Sequence, residues 1–261
     1  MKLLSYYDLA WATLPVALAM VILWARRLGQ VGPLAVGLAR LTAQLWLLGL
    51  VLAWVFRHPG PLTLASVASV MLLASAQAVG TRRGGWPLRL QALAAIGVGG
   101  SVAMVVIVGL SLRLEPWYDL RTVVPLLGMI LGNSVGGVSL AAERLEADLR
   151  AERDRVELRL SLGASARRAA LPSLRAANRA ALTPMIRNMM IVGVVSIPGM
   201  ATGQLLAGAG VESALRYQVL VYLGISGTVA LSTLVLLRLR LGHYFTADDR
   251  LRGDRLDGPA G

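Results

Sequence analysis

Near-continuous apolar runs, each long enough to cross a lipid bilayer, recur along this chain and constrain its fold more than any other feature. About 20 apolar residues in a helix span roughly 30 Å of hydrocarbon. Each backbone amide in lipid needs an internal partner, so such runs fold as helices. We therefore predict an all-α, polytopic membrane protein with about seven transmembrane helices.

The predicted spans divide the chain into spanning, cytoplasmic and terminal parts. In chain order the spans run from about Asp8 to Trp24, Pro33 to Phe56, Leu62 to Gly80, Leu90 to Leu112, Arg121 to Ala142, Pro184 to Ala207 and Ala214 to Leu237. We treat 1–261 as one transmembrane domain. Within it, 1–142 holds spans one to five, 143–183 a cytoplasmic helical segment, and 184–245 spans six and seven. The polar tail 246–261 is expected to be frayed.

The distribution of positive charge predicts the orientation. The chain carries 26 basic and 14 acidic residues, a net charge of +12. Most of the arginines fall on one side of the predicted spans, and cytoplasmic loops are enriched in such residues. This places the N-terminus outside and the C-terminus in the cytoplasm. A basic cytoplasmic face explains the net charge, so we expect no nucleic-acid partner.

Several kinds of chemistry are excluded by residues that the chain lacks. It has no cysteine, which excludes disulfides, zinc–thiolate sites, iron–sulfur clusters and cysteine nucleophiles. Its histidines, His58 and His243, lie far apart in sequence. Its only lysine is Lys2, so there is no Walker A loop. We expect a protein that is not itself an enzyme and holds no cofactor, with any ATP and magnesium bound by another chain.

The polar segment after the fifth span predicts a helix that extends into the cytoplasm. No proline or glycine separates that span from Leu162, so we expect one continuous helix to about that residue. Glu146 and Arg150 have the favourable i,i+4 order. We expect this polar helix to reach another protein. The alternative is that it is surrounded by solvent and has no partner.

A short helix between two turns is predicted next. Gly163 can end one helix in a left-handed conformation, Ser165 can cap the next, and Pro172 forces another break. Glu157 lies six residues before Gly163, a spacing that resembles the coupling loop of ABC-transporter membrane subunits. The candidate residues for coupling to an ATPase are Glu157, Gly163, Ser165, Arg167, Arg168 and Leu171.

The sixth span is predicted to be broken at Pro198 and Gly199. Proline removes a helix hydrogen bond, and a break at membrane depth is tolerated only against protein or a watery path. If helical phase survives the break, one stripe contains Met185, Met189, Gly193, Ser196 and Met200. Thioethers are soft ligands that favour copper(I), which makes Met189 and Met200 the candidate metal ligands. The alternative is that these residues only pack against other helices.

Polar residues in the apolar spans complete the candidate translocation pathway. Asn133 and Ser134 in the fifth span can bond across helices as structural glue or line a path. Gln44 in the second span can likewise either bond to a neighbouring helix or line a path. The candidate pathway residues are Gln44, Asn133, Ser134, Met189, Ser196, Pro198, Gly199, Met200, Thr202 and Gln204.

Four stretches resemble the FetB-type family of ABC-transporter permeases, which is linked to iron export in bacteria and to aluminium tolerance in plants. They are Arg40-Leu-Thr-Ala-Gln-Leu, Gly132-Asn-Ser-Val-Gly-Gly-Val-Ser-Leu, Ser161-Leu-Gly-Ala-Ser and Ser196-Ile-Pro-Gly-Met-Ala-Thr-Gly-Gln-Leu. Ala201 stands where the family usually has a second methionine. The resemblance implies a FetA-like ATPase partner, a metal-related cargo and a multi-pass protein of the bacterial inner membrane.

The sequence therefore predicts the membrane subunit of an ABC exporter that acts as a homodimer with two ATPase subunits. One alternative is a membrane scaffold or signal transducer that recruits a cytoplasmic partner without transporting anything. A secondary carrier is the third candidate, and it is disfavoured because no acid lies deep in a span.

Overall fold

A computed structural model describes residues 5–80 and 85–257, and the fold is helical throughout these ranges. The predicted basic positions Arg82 and Arg83 lie outside the described residues. The helices are α1 (Tyr6–Ala12), α2 (Leu14–Ala25), α3 (Val31–Arg57), α4 (Pro61–Ala78), α5 (Gly85–Met104) with a π-helical extension (Val105–Leu112), α6 (Leu120–Ala151), α7 (Arg153–Ser161), α8 (Ala166–Ala169), α9 (Leu171–Ile191), α10 (Gly199–Leu206), α11 (Val211–Tyr244) and α12 (Gly253–Asp257).

Six continuous stretches are long and apolar enough to cross a membrane. They are Tyr7–Ala25, Val31–Arg57, Pro61–Ala78, Gly85–Leu112, Leu120–Ala151 and Val211–Tyr244. They correspond to six of the seven predicted spans. The predicted sixth span is divided between α9 and α10. This agrees with the prediction that the span is broken.

The chain falls into two compact units, Met1–His58 and Pro59–Gly261. In the first unit, α1 begins with a capping box in which the Asp8 Oδ2 atom accepts a 2.9 Å hydrogen bond from the Ser5 backbone N–H. The chain leaves helical geometry briefly at Thr13, and a proline stands in the first turn of α2. Large apolar side chains such as Trp24 and Trp46 are exposed, as expected of a surface that lipid covers.

In the second unit, α11 is the central helix. It packs against α5, α6, α9 and α10, while α4 packs against α5 and α6. The core between these helices is built from Ala103, Ile107, Leu126, Ile130, Val221, Ile225 and Val229.

Small residues let α11 approach its neighbours closely. A Cβ atom on Gly137 would lie 2.7 Å from Val229 Cγ1, and one on Gly99 would lie 2.9 Å from the Thr228 carbonyl oxygen. Neither position has room for a side chain. This is the close packing that small residues provide between membrane helices, and it agrees with the predicted role of the glycines in the fifth span.

The predicted sixth span differs from the structure in its start and in the position of its break. Helix α9 begins at Leu171 and passes through Pro184, and it ends at Ile191. Residues 192–198 form a turn in which Gly193 has φ +83°, and Pro198 is the N-cap of α10. The predicted continuous stripe of methionines is therefore wrong, because helical phase is lost at the turn.

Two other helix ends also differ from the predictions. The helix expected to run unbroken to Leu162 is interrupted at Glu152, whose φ of −109° and ψ of 24° separate α6 from α7. Helix α11 continues to Tyr244 instead of ending at Leu237, so Arg238 and Arg240 belong to the helix and not to the tail.

The expectation that the tail is frayed is wrong for residues 246–257. Phe245 pairs with Leu251 in an isolated antiparallel bridge, and the Thr246 N–H donates to the Arg250 carbonyl oxygen at 2.9 Å. Leu256 of α12 is buried, with 1% of its surface exposed. The tail returns to α6, where the Arg150 guanidinium donates to the Leu256 carbonyl oxygen at 2.8 Å.

Candidate functional site

The short helix predicted between two turns is present as α8. Gly163 ends the preceding helix with φ +86°, a conformation in which glycine lacks the steric penalty of other residues. The Ala164 N–H donates back to the Arg159 carbonyl oxygen at 3.0 Å. After α8 the chain turns at Ala170, and Pro172 occupies the first turn of α9 rather than the break itself.

Helix α8 presents one face to the protein and one to solvent. Ala166 and Ala169 are buried, whereas Arg167 and Arg168 are exposed. The Arg159 Nη1 atom donates to the Ala169 carbonyl oxygen at 3.0 Å, which ties the end of α8 to α7. The helix is thus held in place from behind while its two arginines point outward.

Asp249 of the tail caps α8, a contact that the sequence did not predict. Its Oδ1 atom accepts a 2.8 Å hydrogen bond from the Ala166 backbone N–H. Ser165 is the N-cap residue, as predicted, but its side chain makes no capping bond. Asp249 lies 83 residues away in sequence, and no local pattern could have identified it.

The remaining predicted coupling residues lie at the edge of this region. Glu157 forms an ion pair with Arg153 at 2.9 Å, with 49% and 40% of their side chains exposed. Surface pairs of this kind contribute little to stability. Leu171 is half-buried at the start of α9.

A buried polar network joins three helices near α8, and the sequence revealed only part of it. The predicted pair of Glu146 and Arg150 is present at 3.0 Å. Glu146 also accepts a 3.3 Å hydrogen bond from the Tyr244 hydroxyl. Arg240 is 2% exposed, donates to the Tyr244 oxygen and lies with Nη1 3.5 Å from Gln91 Oε1. The network links α5, α6 and α11, and Arg150 extends it to the tail.

Gln218 fixes the short helix that follows the break, and sequence reasoning missed it. This buried residue of α11 accepts, through Oε1, a 3.2 Å hydrogen bond from the Ala201 backbone N–H in the first turn of α10. The N-cap residue Pro198 supplies no side-chain cap. A buried amide in a membrane helix usually finds a partner on a neighbouring helix, which was the available signal.

The predicted pathway residues around the break differ in exposure. Ser196, Gly199 and Thr202 are exposed, whereas Pro198 and Gln204 are half-buried. The Thr202 hydroxyl donates to the Pro198 carbonyl oxygen at 3.1 Å.

The two candidate thioethers lie on different helices. Met200 of α10 packs against the core, as does Met185 of α9. Met189 is 41% exposed, and its Sδ atom lies 3.7 Å from Ser226 Oγ. No cluster of three or more His, Cys, Asp or Glu side chains suited to a metal ion occurs within residues 5–80 and 85–257.

The polar residues of the second and fifth spans bond locally or face outward. The Asn133 amide donates to the Met129 carbonyl oxygen at 2.7 Å, and the Ser134 hydroxyl donates to that of Ile130 at 2.8 Å. Both side chains therefore donate to carbonyl groups of α6 itself, and their role as structural glue or as part of a path stays a prediction. Gln44 is exposed on α3.

Arg187 lies beside the middle of the uncharged stretch of α11, although its charge was counted with the cytoplasmic arginines. Helix α11 has no charged residue from Tyr217 to Leu237, a length of about 32 Å, and Ser226 is near its midpoint. Met189 contacts Ser226, and Arg187 precedes Met189 by about 3 Å along α9. Arg187 is exposed. A charge at this depth faces protein or water because lipid penalises it.

The sequence model of the Uncharacterised protein family (UPF0014) matches residues 6–245. The chain belongs to this family. A UPF0014 membrane protein of Synechocystis is 33% identical over 95% of this chain and 96% of its own length. The probable iron export permease protein FetB of Escherichia coli is 29% identical over 94% of this chain and 93% of its own length.

A plant relative extends the comparison. The protein ALUMINUM SENSITIVE 3 of Arabidopsis thaliana is 27% identical over 91% of this chain and 86% of its own length. The resemblance found in the sequence is thus confirmed, and the chain is a multi-pass membrane protein of the UPF0014 family. No solved structure is significantly similar to it.

Proposed function

We propose that this chain is the transmembrane subunit of an ABC exporter for iron or a related metal species. Two copies act with two ATPase subunits, which bind ATP and magnesium. The similarity to FetB supports the metal-related cargo. The orientation with α8 in the cytoplasm follows from the charge asymmetry of the sequence.

The observation that carries this proposal is the geometry of α8. A four-residue helix is held between two turns, with its alanines buried and with Arg167 and Arg168 exposed. It is fixed at its start by Asp249 and at its end by Arg159. A short helix supported from behind can transmit a push from a docked ATPase to α7 and α9 without collapsing.

The break between α9 and α10 provides the element that moves. Gly193 and Pro198 interrupt the helix at membrane depth, and Gln218 holds the second piece against α11. Since α8 is followed directly by α9, a displacement of α8 is transmitted along α9 to the turn. Broken helices of this kind mark substrate sites in many transporters.

Arg187 favours a cargo in which the metal travels with anionic ligands. Its guanidinium is exposed near the depth of Met189 and Ser226. Guanidinium groups bind carboxylate and phosphate groups and repel bare cations. The exposed Ser196 and Thr202 of the break can add hydroxyl contacts to such ligands.

Transport in inside-out vesicles tests the proposal. The chain is co-expressed with a FetA-like ATPase, and ATP-dependent accumulation of iron(II) is measured with the metal supplied as the aquo ion and as its citrate complex. We expect accumulation that stops when ATP is withheld. ATP hydrolysis without movement of iron in either form would contradict the proposed iron cargo. It would still support the proposal that the chain is the membrane subunit of an ABC transporter.

Charge reversal on α8 tests the docking contact. Arg167→Glu together with Arg168→Glu should prevent co-purification of the ATPase, because both side chains are exposed on the outer face. The control is Arg57→Glu, an exposed arginine on the predicted outer side. Normal assembly of the double variant would contradict the contact. An ATPase that neither binds the chain nor responds to it would favour the scaffold alternative.

A further inference from the structure

A groove of about 360 Å³ lies between α8, α9 and α11, away from the break and the candidate pathway. Three arginines from three different helices line it: Arg167, Arg175 and Arg238. The rest of the lining consists of leucine side chains, including Leu234 and Leu237 of α11, and of Asn178. The groove therefore combines converging positive charge with an apolar wall.

The three positive charges have no acidic partner in the part of the chain that the structure describes. By contrast, Arg144, Arg150, Arg153, Arg216 and Arg240 each form an ion pair with an acidic side chain. The buried Arg240, only two residues after Arg238, is instead paired with Glu146. Converging arginines without a carboxylate create a positive potential that attracts an anion.

Asn178 adds a second, independent feature. Its side-chain Oδ1 atom is buried in the groove region and has no hydrogen-bond partner. Buried polar atoms are nearly always bonded to protein, water or ligand. This oxygen can accept a hydrogen bond from a glycerol hydroxyl, and the amide NH2 group can donate to a phosphate oxygen.

The position of the groove along the helices places it at a membrane surface. Arg238 is the first charged residue after the uncharged stretch Tyr217–Leu237 of α11. Met189 of α9 contacts Ser226 of α11. Ala181, earlier in α9, lies beside Gly137 of α6, and Gly137 also lies beside Val229 and Thr233, which come later in α11. The helices α9 and α11 are therefore antiparallel. Arg175 therefore reaches the same level as Arg238, while Leu234 and Leu237 lie deeper.

We propose that this groove binds one anionic phospholipid. Its phosphate lies between Arg175 and Arg238 with Arg167 nearby, and one acyl chain follows Leu234 and Leu237. A soluble anion would use the arginines but would leave the leucine wall exposed, whereas a phospholipid covers both. Basic pockets at the cytoplasmic end of membrane helices are suited to such headgroups. Arg167 and Leu171 also belong to the proposed coupling segment, but lipid binding through Arg175 and Arg238 does not require the transport function proposed above.

The test is a lipid titration of the purified full-length chain in detergent, followed by native mass spectrometry. Phosphatidylglycerol is compared with phosphatidylcholine of the same acyl chains. We expect the anionic lipid to bind more tightly, with one copy per chain retained longest. Replacing both Arg175→Gln and Arg238→Gln should weaken its binding about 25-fold, at about fivefold for each charge.

The matched control is Arg155→Gln together with Arg179→Gln, two exposed arginines that do not line the groove. It should bind phosphatidylglycerol as the unchanged chain does. If the groove double variant fails to fold, as judged by its elution and circular dichroism, the single variants are measured instead, each with about a fivefold loss.

Three results would overturn the proposal. The first is equal binding of the two lipids by the unchanged chain. The second is an equal loss in the groove and control variants. The third is complete displacement of phosphatidylglycerol by an equal concentration of inorganic phosphate, which would show a soluble-anion site.

Discussion

Arg240 of α11 lies with its Nη2 atom 3.6 Å from Glu146 Oε2 of α6, and both side chains are buried. The Tyr244 hydroxyl bridges them, because it donates to Glu146 and accepts from Arg240, whose guanidinium also stacks 4.5 Å from the centre of the Tyr244 ring. The pair joins the C-terminal parts of two long helices, α6 and α11. It therefore stabilises the packing of α6 against α11 at this end of the bundle.

Removing one member of this pair should destabilise the protein strongly. Glu146→Ala leaves Arg240 buried without its acid, and breaking a buried pair in this way costs about 3–5 kcal/mol. We expect a large fall in the midpoint of thermal unfolding in detergent. Replacing both residues, Glu146→Leu with Arg240→Met, should recover much of that loss, since no unpaired charge remains. A double variant as unstable as Glu146→Ala would contradict this account.

The cap on α8 gives a second prediction. Asp249→Ala removes the only side-chain acceptor that α8 has at its first turn, a change worth about 1 kcal/mol. Amide hydrogen exchange at Ala166–Ala169 should become faster, while exchange in α11 stays unchanged. The neighbouring Asp248→Ala, an exposed residue, is the matched control. Equal exchange in the two variants would show that the tail does not hold α8.

The sequence predicted what is local and missed what is distant. The apolar runs located the spanning helices, and Gly163 and Pro172 predicted a short α8, because helix termination depends on residues close in sequence. Asp249, Gln218 and the Arg240 network were not predicted, because each bonds to a residue on another element. Arg187 was counted with the cytoplasmic arginines, and its place beside the middle of the uncharged stretch of α11 came only from the contact between α9 and α11. Predictions of orientation, dimerisation and pathway residues stay predictions.

The close approach of α6 to α11 gives a third prediction. Gly137→Val should disrupt the packing, because a Cβ atom there already lies 2.7 Å from Val229 Cγ1. Overpacking of this kind costs about 1–3 kcal/mol or more. The adjacent Gly136→Val is the control, since its Cβ would meet nothing within 4 Å. We expect only Gly137→Val to lower the thermal midpoint and the yield of monodisperse protein.

Arg187 gives the prediction that bears most directly on transport. The substitution Arg187→Leu places an apolar residue at this level of α9, so folding and assembly with the ATPase should be the same as for the unchanged chain. ATP-dependent accumulation of iron citrate in inside-out vesicles should fall about tenfold or more, since a charged hydrogen-bonding group is lost from the pathway.

The substitution Arg187→Lys separates charge from shape in the same assay. It preserves the positive charge and should retain more transport than Arg187→Leu, with some loss because lysine lacks the planar guanidinium fork. If Arg187→Leu transports iron citrate at the unchanged rate, Arg187 does not face the cargo. If it instead accelerates the movement of aquo iron(II), the arginine is a barrier to bare cations and the cargo is not an anionic complex.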